Sequence, residues 1–191
     1  MKDLKIKHVF LDMDGTLNPF ESSSGQIDVR VFEPGFFAYK RPLYTVMWGL
    51  RNRFKDAEKY ILSAVPVSWG YAEKNKWLDS EEIYSILPIK NENRYFIRFK
   101  IDDKVEVLLD IIDKLGLKKE EVLLVDDEFK IIAKAENLGI HSMHPSTLAA
   151  DGEAFLIKNG LLDVKSINAN VSSDTKVLGL KPKINKQVVS K

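Results

Sequence analysis

Apolar positions in this chain change their period several times, and each change marks an element. Ile6 to Leu11 is a short apolar run that stops on Asp12-Met13-Asp14-Gly15-Thr16, the pattern of a buried strand running into a turn. Asn18 to Gln26 is polar, with Pro19, three serines and Gly25, and reads as a loop. Phe32-Glu33-Pro34-Gly35-Phe36-Phe37 follows, aromatic but interrupted by a turn dipeptide. Leu43, Val46, Met47, Leu50 and Phe54 then recur at helical spacing, with Pro42 at a tolerated first-turn position. That helix leads into a short strand, Tyr60-Ile61-Leu62-Ser63. Trp69 to Leu78 predicts another short helix. Ile83 to Ile89 alternates weakly and contains Pro88, which predicts an edge strand or an irregular piece. Tyr95 to Phe99 reads as a further strand.

The clearest amphipathic pattern comes next. Val105, Leu108, Leu109, Ile112 and Leu115 line one helical face, Asp102 or Asp103 can cap its start, and Gly116 sits just past its end. Glu121 to Val125 is a buried strand entering Asp126-Asp127. A helix from about Phe129 to Leu138 stops at Gly139, and Ile140 to Met143 reads as a strand. Strands alternating with helices of this length predict right-handed βαβ units and a parallel sheet, an α/β class. Beyond Gly160 the periodicity fades. Residues 161–191, rich in Ser, Asn, Lys and Val, form an extension of unassigned role.

Composition narrows the picture in three ways. A chain of 191 residues with 45% hydrophobic and 30% charged positions suits one soluble domain with a modest insertion. Twenty-nine basic against 28 acidic residues leave no electrostatic footprint for nucleic acid or a membrane surface. The absence of cysteine excludes disulfides, thiolate metal sites and cysteine nucleophiles. The opening apolar run is too short for a signal peptide, and no stretch is long enough to span a membrane. The expected location is the cytoplasm.

The chemistry sits where predicted strands end. Strand alternation points the Asp12 and Asp14 side chains the same way, and two like charges that close need a cation, a proton or the ligands of a bound phosphate. An acidic turn alone, or an Asp-Asp helix cap alone, would be unremarkable. However, open parallel sheets bind ligands beyond the carboxyl ends of their strands, and three such ends carry Asp12/Asp14, Ser63 and Asp126/Asp127. Carboxylates with no thiolates among them suit a hard cation such as Mg²⁺. A site of that kind suits phosphoryl transfer, in which positioning and charge neutralisation dominate.

On these residues the chain resembles the haloacid dehalogenase superfamily of aspartate-nucleophile phosphatases. The likeness covers about residues 6 to 145 and is carried by Asp12-Met13-Asp14-Gly15-Thr16, Ser63, a lysine ahead of the Val105 helix, and Leu124-Val125-Asp126-Asp127. Shorter strings resemble its 5′(3′)-deoxyribonucleotidase group: Glu33-Pro34-Gly35-Phe36-Phe37, Arg41-Pro42-Leu43, Glu73-Lys74-Asn75-Lys76-Trp77 and Asp103-Lys104. The resemblance implies a Rossmann-like three-layer sheet, with residues 1–16 and 59–160 as the core and residues 17–58 as a small helical cap and connecting helix. It implies that Asp12 attacks phosphorus and binds Mg²⁺. Asp14 would protonate the leaving oxygen and then activate water, its backbone carbonyl touching the metal, with a carboxyl raised by acidic neighbours. Ser63 would hold the phosphoryl group, Lys104 would neutralise it, and Asp126 and Asp127 would anchor the metal. Gly15, Thr16, Ala64, Phe36 and Phe37 would contact substrate.

The chain departs from that group in having Ser63-Ala64 where two adjacent hydroxyl residues are common. Lys100 competes with Lys104 for the lysine role. Phe32, Phe36 and Phe37 either stack a nucleobase or pack the cap, and Trp69 and Trp77 are expected to pack. His8 is expected to be structural, and His141 and His144 are not expected to bind metal. The implied substrate is a small phosphomonoester, with a deoxyribonucleoside monophosphate favoured. Another phosphomonoester, a nucleic-acid end, or a binding protein without turnover remain alternatives. Nothing in the pattern decides between a monomer and a homodimer.

Overall fold

The computed structural model describes residues 5–20 and 29–162. The extension expected from residue 161 therefore lies outside the described residues beyond Leu162, as does most of the polar loop before residue 29. Within the described residues five strands form one parallel sheet: β1 (His8–Leu11), β2 (Glu58–Val65), β3 (Arg94–Arg98), β4 (Val122–Val125) and β5 (His141–Met143), in the order β3-β2-β1-β4-β5. Among the described residues six α-helices flank it: α1 (Tyr44–Arg53), α2 (Gly70–Leu78), α3 (Glu81–Ile86), α4 (Lys104–Leu115), α5 (Phe129–Asn137) and α6 (Pro145–Lys158). This is the parallel α/β sheet that the alternation of elements predicts, in the Rossmann-like three-layer arrangement that the resemblance implies.

Strand alternation divides the core in two. Val9, Leu11, Ile61 and Val125 face α1, α2, α3 and α6, meeting Met47, Leu50, Trp77 and Leu148. Phe10, Leu62 and Leu124 face α4 and α5, meeting Val105, Leu108, Ile112 and Ala135. The central strands are covered on both faces, which is why they read as continuous apolar runs. No helix among the described residues is long and apolar enough to cross a membrane.

Three segments differ from expectation. Ile83 to Ile89 begins as helix rather than strand: Glu81 and Glu82 occupy the first turn of α3, where the helix dipole favours them, and Pro88 follows its end. On α4 the buried stripe is Val105, Leu108, Ile111 and Ile112, while Leu115 is exposed at the last turn. Asp103, not Asp102, caps that helix, accepting from the backbone of Val105 and Glu106; Asp102 pairs with Arg98. Finally, α6 has no counterpart in the periodicity, because Gly152 occupies part of its buried face beside Leu148 and Leu156.

That glycine has a measurable consequence. α1 and α6 cross so closely that a Cβ on Gly152 would lie 1.7 Å from the Thr45 carbonyl oxygen, and one on Gly49 would lie 2.0 Å from that of Leu148. Helix propensity alone favours Gly152→Ala by about 1 kcal/mol, but overpacking against rigid backbone costs about 1–3 kcal/mol or more. Gly152→Ala is expected to lower the thermal midpoint by roughly 5 °C, read by circular dichroism. An unchanged or higher midpoint would contradict the close crossing.

Candidate active site

Strand register places the first groups. Leu11 pairs with Ile61 on one side and Val125 on the other, so Asp12 and Asp126 leave adjacent parallel strands at one height. The Asp12 backbone N–H donates to the Val125 carbonyl at 3.0 Å, which holds that level. Chain order reverses between β1 and β4, the place where an open sheet opens a crevice. Gly15 turns the chain here at φ +81°, and a Cβ on it would lie 2.1 Å from Asp127 Oδ2. Glycine is thus required both for the turn and for the approach of Asp127.

Ligand oxygens of Asp12, Asp126 and Asp127 lie within 4.8 Å of one another. Their charges oppose each other in a poorly solvated place. Burial and the charge of Asp12 push the Asp126 carboxyl up to about 6. Burial, Asp12 and Asp126 push Asp127 up to about 7. Asp12 Oδ1 is buried without a hydrogen-bond partner. An all-oxygen donor set carrying excess negative charge and an orphaned oxygen fits a hard divalent cation. Lys104, the first residue of α4, compensates part of the charge: its Nζ lies 2.7 Å from Asp126 Oδ2 and 3.1 Å from Asp12 Oδ2. Burial disfavours its charge, but Asp12 and Asp126 more than offset this and hold it firmly protonated. Lys100 stands apart on the cavity wall, in a left-handed conformation at φ 58°, its Nζ 5.3 Å from the centre of the Phe99 ring. Asp126 also accepts from the backbone N–H of Glu128, a side-chain-closed turn just ahead of α5.

Asp14 is held differently. Its Oδ1 accepts from Lys40 Nζ at 2.7 Å and its Oδ2 from Lys74 Nζ at 2.6 Å. Lys74 also donates to Ser63 Oγ at 2.8 Å and to the Ala64 carbonyl at 2.7 Å, so all three of its protons have acceptors. The expectation that acidic neighbours raise the Asp14 carboxyl is corrected here. Burial does push it up, but the charges and hydrogen bonds of Lys74 and Lys40 outweigh burial and hold it below the ordinary carboxylate range. Its carboxylate is not among those that meet within 4.8 Å.

A cavity of about 630 Å³ opens over these groups. Asp12, Asp14, Ser63, Ala64, Lys104 and Asp127 line its polar end, and Phe20, Val31, Phe37 and Phe99 line an apolar wall. Asp126 lies fully buried beneath the cavity, and Thr16 is fully buried under the turn, its hydroxyl without a partner. Phe36 meets Phe37 edge-on at 5.0 Å, while Phe32 is exposed. The aromatic segment is tied to α2: Glu73 accepts from the backbone of Gly35 and Phe37, and Trp77 Nε1 donates to the Lys40 carbonyl at 2.7 Å. Trp77 packs as expected, whereas Trp69 is exposed. His8 lies beside the Tyr60 hydroxyl, and His144 caps α6 while stacking on Phe129.

Two charged groups of this site, Lys40 and Lys74, were not among the candidate residues. Lys74 lay within a string already singled out, Glu73 to Trp77, and it is 1% exposed. Lys40 carried no signal beyond its place next to Arg41-Pro42.

No family model matches this sequence, and no curated protein matches it either. Solved structures do resemble the fold. An uncharacterized protein from Listeria monocytogenes serotype 4b shares 18% identity over 73% of this chain and 78% of its own, with a TM-score of 0.51. A HAD family enzyme from Bacteroides thetaiotaomicron, in complex with magnesium and inorganic phosphate, shares 14% identity over 73% and 93%, with a TM-score of 0.47. A 3-deoxy-D-manno-octulosonate 8-phosphate phosphatase from Moraxella catarrhalis, in complex with magnesium, phosphate and KDO, shares 18% over 69% and 63%, with a TM-score of 0.41. At such identities the likeness is one of fold.

Proposed function

We propose that the protein is a magnesium-dependent phosphomonoester hydrolase of the haloacid dehalogenase superfamily, working through an aspartyl phosphate on Asp12. One observation carries this: Asp12, Asp126 and Asp127 converge within 4.8 Å, beside Lys104, at a sheet edge that also presents Ser63 and Asp14. Asp12, Asp126 and Asp127 would hold Mg²⁺ together with the Asp14 backbone carbonyl. When bound there, the cation neutralises phosphoryl oxygens and screens the nucleophile from them.

The side chains divide the remaining work. A carboxylate oxygen of Asp12 attacks phosphorus, and the ester oxygen departs with the electron pair of its bond to phosphorus. Asp14 hands that oxygen a proton. Because two ammonium groups keep Asp14 ionised at rest, the proton is one it takes from the substrate monoanion. Water then attacks the aspartyl phosphate while Asp14 accepts its proton, and the bond to Asp12 breaks. Ser63 and Lys104 hold the phosphoryl oxygens.

We favour a deoxyribonucleoside monophosphate as substrate. Support comes from the two strings shared with that group, Glu33 to Phe37 and Glu73 to Trp77, which bond to each other through Glu73. Phe20 and Phe99, on the cavity wall, offer faces on which a base can stack, whereas Phe37 is 2% exposed and packs. Other small phosphomonoesters with an apolar alcohol would fit the same wall. Phosphate release from p-nitrophenyl phosphate, with and without Mg²⁺, tests the reaction, and a panel of nucleoside monophosphates tests the substrate class. No release with any ester would favour a binding protein. Phe99→Ala is expected to raise KM for deoxynucleotides roughly 10-fold, the worth of one stacked base, with little change for glycerol phosphate. Equal rises would mean that Phe99 only packs.

A further inference from the structure

A carboxylate rotates easily about its terminal bond, yet proton transfer requires one of its oxygens to face the reacting oxygen. At Asp14 that rotation is blocked by two lysines from different parts of the chain, one to each oxygen. They are not equivalent. Lys74 spends its protons on Asp14, Ser63 and Ala64, and belongs to the phosphate-holding floor as much as to Asp14. Among the described residues, Lys40 has Asp14 as its only carboxylate partner, with a longer contact of 3.4 Å to the Pro19 carbonyl. Its backbone is anchored by Trp77, and its side chain is 8% exposed. The ammonium group lies 4.4 Å from the centre of the Phe36 ring, 5.2 Å from that of Phe20 and 5.5 Å from that of Phe37.

An ammonium group so nearly buried would be costly without a carboxylate, and the aromatic faces offset only part of that cost. Packing alone would be served better by an apolar side chain. We propose that Lys40 is a positioning residue for the acid–base step: from the aromatic segment, it fixes the Oδ1 edge of Asp14 so that the other groups meet the leaving oxygen in register. This rests on the hydrolase proposed above. Lys40 itself forms and breaks no bond. The proton passes between Asp14 and the leaving oxygen as the bond from phosphorus to that oxygen breaks, and returns from water in the second step.

The test compares leaving groups. Nitrophenolate departs without a proton, whereas an alkoxide needs one, and kcat/KM reports steps only as far as phosphorylation of Asp12. For Lys40→Met, kcat/KM with glycerol phosphate is expected to fall roughly 100-fold, the cost of a misplaced catalytic group. With p-nitrophenyl phosphate the same variant is expected to lose less than about 3-fold. Lys40→Arg, which retains the charge, is expected to keep the wild-type ratio of the two substrates. Equal losses on both substrates in Lys40→Met, or a changed ratio in Lys40→Arg, with an unchanged melting midpoint, would overturn the positioning role while leaving the hydrolase intact. A lower midpoint with equal losses would also overturn it, assigning Lys40 to the fold. Absence of turnover by the wild-type protein would instead overturn the hydrolase and this role with it.

Discussion

Asp12→Asn is expected to reduce Mg²⁺-dependent phosphate release by on the order of 10⁴-fold or more, because an amide cannot serve as the attacking group. Size and shape are kept, so the fold has no reason to change. Asp12 also adds to the repulsion that raises the Asp126 and Asp127 carboxyls. Removing its charge should therefore leave the metal-free variant at least as stable as the wild type. A colorimetric phosphate assay paired with a thermal melt reads both effects. An inactive, equally stable variant places Asp12 in the chemistry. More than about 1% residual release would mean that water attacks phosphorus directly and no aspartyl phosphate forms.

Asp127→Asn tests the cation, and here stability and function should move in opposite directions. In the metal-free protein, burial, Asp12 and Asp126 push the Asp127 carboxyl up to about 7. The native state then holds a proton that the unfolded chain releases at lower pH. Metal-free wild type should accordingly lose stability as pH rises from the ordinary aspartate range to about 7, and the asparagine variant should lose less. With magnesium at 100 times its Kd, the wild type should gain about 2.7 kcal/mol, several degrees in melting midpoint. The variant, lacking one of three acidic oxygens, should show little of that gain and little turnover. A full magnesium shift in Asp127→Asn would place the cation elsewhere.

Sheet and site were legible in the sequence to different depths. Continuous apolar runs at β1 and β4 ended on carboxylates, and the register of a parallel sheet then required Asp12 and Asp126 to meet. The helix α4 announced itself through a capping Asp103 and a closing Gly116, but its stripe shifted at Ile111 because the last turn leaves the core. α6 stayed hidden because Gly152 interrupts its apolar face where it crosses α1 most closely, although Trp48 and Phe155 also stack between the two helices. The electrostatics of Asp14 were read with the wrong sign for a related reason. Neighbours in sequence are acidic, whereas its neighbours in space are Lys40 and Lys74, which lie 26 and 60 positions away. Period and spacing report which face is buried, but not which distant cation is folded against it.

The anchoring of the aromatic segment has a practical outcome for redesign. One face of α2 contributes Glu73 to Gly35 and Phe37, Trp77 to Lys40, and Lys74 to Asp14 and Ser63. Grafting residues 29–42 from a homologue of different selectivity would therefore sever the three contacts of Glu73 and Trp77 with that segment, and that of Lys76 with Tyr39, unless residues 70–78 travelled with them. The two stretches make a single exchangeable cassette, although some thirty residues of chain run between them.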